Sequence, residues 1–364
     1  MNGKFRGAAV AGLTLLALGL SACNGGTAGP PAQVNQQAAA SSPQSHAARR
    51  AYTPACPCEY VADIKGNAVF PGTVIIYPIA ANGNYNPGSN VIVGSNTGLL
   101  NPAGIALDSA SNIYVTNQGN SSVTVYPAGS SGNVTPIATI SGTNTGLLNP
   151  FGIALDSSDR IYVANGLNTT TPSVTVYAPG SNGNVAPIAT IAGPNTGLAD
   201  PSGIALDPTG RIYVGNENSP SFNGIVTVYA AGANGNAAPI RTIAGPSTGF
   251  ANGVYGVAWR NNRIFVTSGN STISSQIGIF PQNSNGNVAP TRSIVGSITQ
   301  LNSPVGIAVG PTNNRIYVAN VRGPSVSTFV AYSSLAPGAN NIAPVKLISG
   351  SNTQLDAPYG ITVR

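Results

Sequence analysis

GIALDSSDRIYVAN, residues 152–165, comes back along the chain. It returns as GIALDSASNIYVTN from Gly104, GIALDPTGRIYVGN from Gly203 and GIAVGPTNNRIYVAN from Gly306, and the same glycine frame stands at Gly256 and Gly360. Recurrence at about fifty residues is the mark of a repeat architecture. One repeat can be read through. Residues 152–155 are a short apolar run. Residues 156–159 form a turn in which Asp is a local hydrogen-bond acceptor. Ile161-Tyr162-Val163 is β-branched and aromatic, residues 165–173 are a polar loop, and Val174-Thr175-Val176-Tyr177 alternates as a strand does. Residues 178–187 are a Gly/Asn/Pro connection, and residues 188–191 are a fourth run. Four short strands without a helical stretch between them make an antiparallel meander. Set radially, such meanders are the blades of a propeller.

The two ends set the count. The last repeat stops after one strand, Pro358-Tyr359-Gly360-Ile361-Thr362-Val363, and Glu59-Tyr60-Val61-Ala62-Asp63 matches the second strand of a repeat. The expectation is an all-β, six-bladed β-propeller with four antiparallel strands per blade. Its ring is closed by the C-terminal strand pairing with the N-terminal blade, which leaves no long exposed edge. Only 7% of the 364 residues are charged, and Gly numbers 45 and Pro 29. Such a composition alone could mean disorder. The 42% hydrophobic content falls in short regular runs instead, which argues for a packed core.

The start of the chain reads differently. Lys4 and Arg6 precede an apolar run over residues 7–20, too short to span a bilayer comfortably. It ends in Leu20-Ser21-Ala22-Cys23, which resembles the bacterial lipobox. The resemblance implies a lipoprotein signal peptide over residues 1–22, cleavage before Cys23 and lipid attachment there. It also implies an extracytoplasmic protein held to a bacterial membrane, the outer one if the host has one. Residues 23–58 are rich in Gln, Ala, Ser and Pro without periodicity and read as a flexible tether. The propeller then occupies residues 59–364. Cys56 and Cys58 are either a bridge or two free thiols, because one Cys-x-Cys with the lone His46 does not supply a zinc site. The net charge of +6 is thinly spread, so no nucleic-acid footprint is expected.

The pattern Pro-x-Gly-Ile-Ala-Leu-Asp, a turn, then Arg-Ile-Tyr-Val-Ala-Asn resembles the NHL repeat of β-propellers and covers residues 59–364. The resemblance implies the fold but does not fix the function, because propellers of this kind serve as adaptors, RNA binders, hydrolases and lyases. His46 is the only histidine and lies in the tether. A Ser-His-Asp triad and the multi-His zinc site of the amidating-lyase branch are thereby excluded from the domain.

Four sets of positions recur. Tyr60, Tyr114, Tyr162, Tyr213, Phe265 and Tyr317 form one aromatic register. Tyr77, Tyr126, Tyr177, Tyr229, Phe280 and Tyr332 form a second. Both are expected to pack between blades. Asp108, Asp156 and Asp207 cap the turn after the first strand. Arg160, Arg211, Arg263 and Arg315 lie on the same face as that turn, paired to nearby Asp or meeting an anionic surface. At the end of the second strand stand Asp63, Asn117, Asn165, Asn216, Ser268 and Asn320. The loops after them (117–122, 165–173, 216–224, 269–275 and 320–325) open on the opposite, ligand side. They vary while the strands hardly change, as binding loops on a rigid scaffold do. The ligand face is therefore assigned to Asn117, Asn165, Asn216, Asn320 and Glu217, with a protein or glycan of the envelope as partner, no cofactor and a monomeric protein. The lactonase-type alternative would hold calcium with Asp63, Asn165, Asn216 and Glu217. Against it, calcium wants six to eight oxygens, and these side chains could simply tie down their own loops. A third reading is an envelope spacer without a dedicated ligand.

Overall fold

The computed structural model describes residues 57–64, 72–166, 169–217, 224–250, 252–269 and 274–364. The residues read as a signal peptide, Cys23 and nearly all of those read as a tether lie outside the described residues, as do parts of four second-to-third-strand loops. The described chain is a six-bladed β-propeller. Blade two shows the plan: Pro102–Leu107 is innermost, followed outward by Ile113–Asn117, Ser122–Tyr126 and Ala138–Ile140. Blades three to six begin at Pro150–Leu155, Pro201–Leu206, Val254–Arg260 and Pro304–Val309. Blade one is composite. Its inner strand, Pro358–Val363, pairs with Cys58–Asp63, which pairs in turn with Thr73–Pro78 and Val91–Ile92. The ring closes as expected.

Strand direction defines two faces. First strands run away from the face that carries the second-to-third-strand loops and the blade-to-blade connections, here the loop face. They end at the first-to-second-strand turns on the opposite, turn face. Cys58 and Arg364 exchange backbone hydrogen bonds there (3.2 and 3.1 Å), so both ends of the described chain meet on the turn face. Cys58 is buried and disulfide-bonded to a partner outside the described residues.

The anchor glycines line the axis, and their function there is close approach. A Cβ on Gly152 would lie 2.2 Å from the Ser202 carbonyl of the next inner strand. On Gly104, Gly256, Gly306 and Gly360 it would meet the corresponding carbonyl at 2.3, 2.2, 2.3 and 2.4 Å. Only glycine lets six inner strands converge so tightly.

The outer rim has a second closure. Gly132, Gly183, Gly235 and Gly286 each form a parallel bridge with the outermost strand of the preceding blade. The following asparagines, Asn133, Asn184, Asn236 and Asn287, accept the backbone N–H of Asn96, Asn144, Asn195 and Ser247 at 2.7–2.8 Å. Between blades five and six the clasp grows into a full strand, Gly338–Asn340. In blade one, Gly83 bridges Ile348 and Asn84 accepts the Asn352 N–H at 2.7 Å, so the ring is fastened at the rim as well as at the hub.

Both aromatic registers pack between blades. Tyr77, Tyr126, Tyr177, Tyr229 and Phe280 are fully buried. The hydroxyls of Tyr177 and Tyr229 donate to the Thr145 and Thr196 carbonyls at 2.6 and 2.7 Å. In blade six the register position belongs to Phe329, opposite Ile316, and not to Tyr332. The ladder is regular from Asn320 to Ile316, and a bulge follows only between Arg315 and Ile316. Tyr332, beyond it, packs edge-on against Phe265 at 5.1 Å. The turn acids also behave as expected. Asp207 accepts from Thr209, Arg211 and Tyr213. Burial pushes its carboxyl up, but these bonds outweigh burial and hold it below the usual range.

Candidate functional site

The second-strand asparagines are structural anchors of the loop face. Asn117, Asn165, Asn216 and Asn320 are all 0% exposed. Their carbonyl oxygens accept the N–H of Leu100, Leu148, Ala199 and Asn302, on the segments entering the first strands. Their amide nitrogens donate to Thr124, Thr175, Thr227 and Ser327 in the third strands. Asp63 does the same in blade one, accepting from the N–H groups of Asp356 (2.9 Å) and Ala357 (3.2 Å). In the four blades that carry asparagine, one side chain thus ties three segments together. Asn216→Ala would leave the Ala199 N–H and the Val214 and Ile225 carbonyls without their side-chain partner, and a loss of about 2 kcal/mol in urea unfolding is expected. Among the described residues, no group of three His, Cys, Asp or Glu side chains is placed to hold a metal ion.

What faces the axis is a different set. The residue before each anchor glycine forms a ring at the mouth on the loop face: Ala103, Phe151, Ser202, Tyr255, Val305 and Tyr359. Ala103, Phe151 and Val305 cluster there with Tyr255, Val321 and Tyr359. Phe151 and Tyr359 meet edge to face at 5.7 Å across the small Ala103. Below them lies an axial cavity of about 70 Å³, lined by the inner strands. The Tyr255 hydroxyl donates to the Asn252 carbonyl at 2.8 Å.

Glu217 follows Asn216 and stands by this mouth. Burial and the negative charge of Asp200 push its carboxyl up to about 8. Burial and then the field of Glu217 raise the phenols of Tyr255 and Tyr359, while Arg322 pulls Tyr255 the other way. At neutral pH the Glu217 carboxyl is mainly protonated and can donate a hydrogen bond. Beside the mouth a groove of about 960 Å³ opens between the connection at 296–302, the loop at 322–325 and the segment 347–355. Leu301, Pro324, Leu347 and Leu355 supply apolar surface, and Gln300 and Arg322 supply polar groups. Arg322 thus lines the groove and also acts electrostatically on Tyr255.

Of the residues assigned to the ligand face by sequence, Glu217 is at the mouth, while the four asparagines lie beneath the loops. Sequence reasoning missed Tyr255 and Tyr359. They occupy a position that reads Ala, Phe, Ser, Tyr, Val and Tyr around the ring, and a search for what repeats passes over what varies.

Six closed four-stranded blades, a glycine-lined axis and a grooved loop face define a β-propeller of the repeat class. No protein-family model matches the sequence, and no curated protein matches it. Among solved structures, it is similar to the crystal structure of a functionally unknown protein from Desulfotomaculum acetoxidans DSM 771. The likeness has a TM-score of 0.50 at 12% identity and covers 84% of this chain and 98% of that one. At that identity the likeness is one of fold.

Proposed function

We propose that this chain is a lipid-anchored binding module of the bacterial cell envelope, built on an NHL-like propeller and without catalytic function. It takes a protein or glycan partner on the loop face. The observation that carries the reading is the groove of about 960 Å³ running beside an aromatic mouth. Recognition sites have this make-up: an apolar lining with a few polar groups that fix orientation. Tyr255 and Tyr359 offer flat faces for stacking. Glu217 and Arg322 offer a donor and a cation. The envelope placement is supported by the charged start, the apolar run and the Leu20-Ser21-Ala22-Cys23 box. Asn117, Asn165, Asn216 and Asn320 then serve by holding the loops in place.

The test is capture from envelope extract and on a glycan array, with the wild type beside Tyr359→Ala and Arg322→Glu. Loss of one aromatic stack is expected to weaken a captured partner about tenfold. Capture equal across all three proteins would remove the mouth and groove from the site, and empty results in both formats would favour the spacer. Measured calcium content of the purified protein separates the lactonase-type reading, which requires a stoichiometric ion.

A further inference from the structure

We propose that the turn face is a docking surface for anionic phospholipid headgroups, through Arg260, Arg263 and Arg315. The first observation is a segregation of charge along the axis. Among the described residues, every lysine and arginine except Arg322 lies at the turn face or at the turn-face end of an outer strand. The loop face carries the carboxylates of Asp63, Asp200 and Asp356 against that one arginine, while on the turn face the basic side chains outnumber Asp108, Asp156, Asp159 and Asp207. Opposite faces of one ring therefore present opposite signs to an approaching surface.

The second observation is local to blades five and six. In blades three and four the turn arginine is neutralised by the acid of its own turn: Arg160 meets Asp156 at 2.6 Å and Arg211 meets Asp207 at 2.7 Å. In blade five the acid is replaced by Arg260, and in blade six by Gly310. Arg263 and Arg315 thus stand in turns that contain no carboxylate. The two turns are also fastened to each other. Arg260 donates through Nη2 to the Pro311 carbonyl. Asn261 donates to Asn314 Oδ1 at 3.2 Å. The three arginines accordingly share one rigid surface, flanked by Arg292 and Lys346 at the starts of outer strands.

The third observation selects a membrane over a soluble polyanion. Cys58 and Arg364 meet on this face, so the segment that precedes Pro57 joins the domain here. A surface that holds the N-terminal segment is thus joined to the ring on the turn-face side. Basic side chains at an anionic bilayer contribute about 1 kcal/mol each and act within a Debye length. Docked this way, the ring turns its groove and aromatic mouth outward.

The inference rests on the envelope placement proposed above, and its test keeps the two apart. The full chain carrying Cys23→Ser, which cannot be acylated at that position, is mixed with phosphatidylcholine vesicles with and without phosphatidylglycerol, and with heparin. The readout is the ratio of affinities for the two vesicles, to which the apolar run at residues 7–20 contributes equally. The ratio is expected to favour phosphatidylglycerol, to fall with added salt, and to drop on the order of a hundredfold in Arg260→Gln/Arg263→Gln/Arg315→Gln. If that variant melts early, Arg263→Gln/Arg315→Gln serves in its place, with a drop on the order of thirtyfold. A ratio near one, or a ratio unchanged in the variants, overturns the inference. So does binding to heparin alone, which would assign the patch to a soluble polyanion. Failure of the anchor reading would appear separately, as equal membrane partition of the wild type and Cys23→Ser in cells.

Discussion

Isoleucine in place of Glu59 is expected to stabilise the ring by about 4 kcal/mol above pH 8. Glu59 lies opposite Tyr77, where the other blades place Ile113, Ile161, Ile212, Ile264 and Ile316 opposite their aromatic residue. It is 0% exposed, and neither carboxylate oxygen has a hydrogen-bond partner. Burial pushes its carboxyl up to about 8, against an opposing pull from Lys346. The sign of the pH effect follows. Below about 4.5 the carboxyl is protonated in both folded and unfolded chains, and its penalty is absent. Between there and about 8 the folded chain holds a proton that the unfolded chain has released, so stability falls as pH rises. Above that range the loss is complete. Urea titrations of wild type, Glu59→Ile and Glu59→Gln across this window would read the slope through Trp259, the one tryptophan. Both variants should flatten it, with a residue left by Glu217, which shifts in the same direction. A wild-type slope that survives in Glu59→Ile would refute the assignment.

Gly152→Ala is expected to cost about 3 kcal/mol or more, because its new methyl would overlap backbone and not a movable side chain. The Ser202 carbonyl 2.2 Å away and the Ile204 N–H 3.1 Å away both belong to the next inner strand. Relief requires two blades to separate at the hub, where six strands converge. Gly286→Ala is the contrast. Its Cβ would meet nothing within 4 Å, and only its φ of +73° resists substitution. That strain is about 1 kcal/mol. Thermal unfolding of the two variants side by side would separate close approach from backbone strain. Equal losses would show that the hub has slack.

Much of the ring was legible because its constraints repeat. The glycine frame, the strand alternation and the unpaired strand at each end predicted six blades and their closure. The aromatic register held in five blades and failed at Tyr332, because Phe329 fills the slot by regular pairing from Asn320 and Tyr332 follows beyond the bulge. The rim clasp was hidden because Asn-Gly-Asn has the composition of a loose turn. Its partner is a strand about forty residues earlier in the chain, or at its far end in blade one. Glu59 was hidden by its flanks, since Tyr60-Val61-Ala62 reads as an ordinary strand and only the cross-strand partner reveals which face the carboxylate occupies. The loop face was located correctly, but the asparagines that marked it turned out to be its ties, and the residues at its mouth were those that differ from blade to blade.

The meeting of Cys58 with Arg364 bears on protein engineering. Two ends that already share backbone hydrogen bonds can be spliced by a short linker, and the circle then has no obligatory starting point. New ends cut at the connection between any two blades would yield circular permutants in which every blade is continuous in sequence, blade one included. Permutation would thus move the attachment point around the wheel without disturbing its hub, so that the direction in which the groove is displayed becomes a design choice.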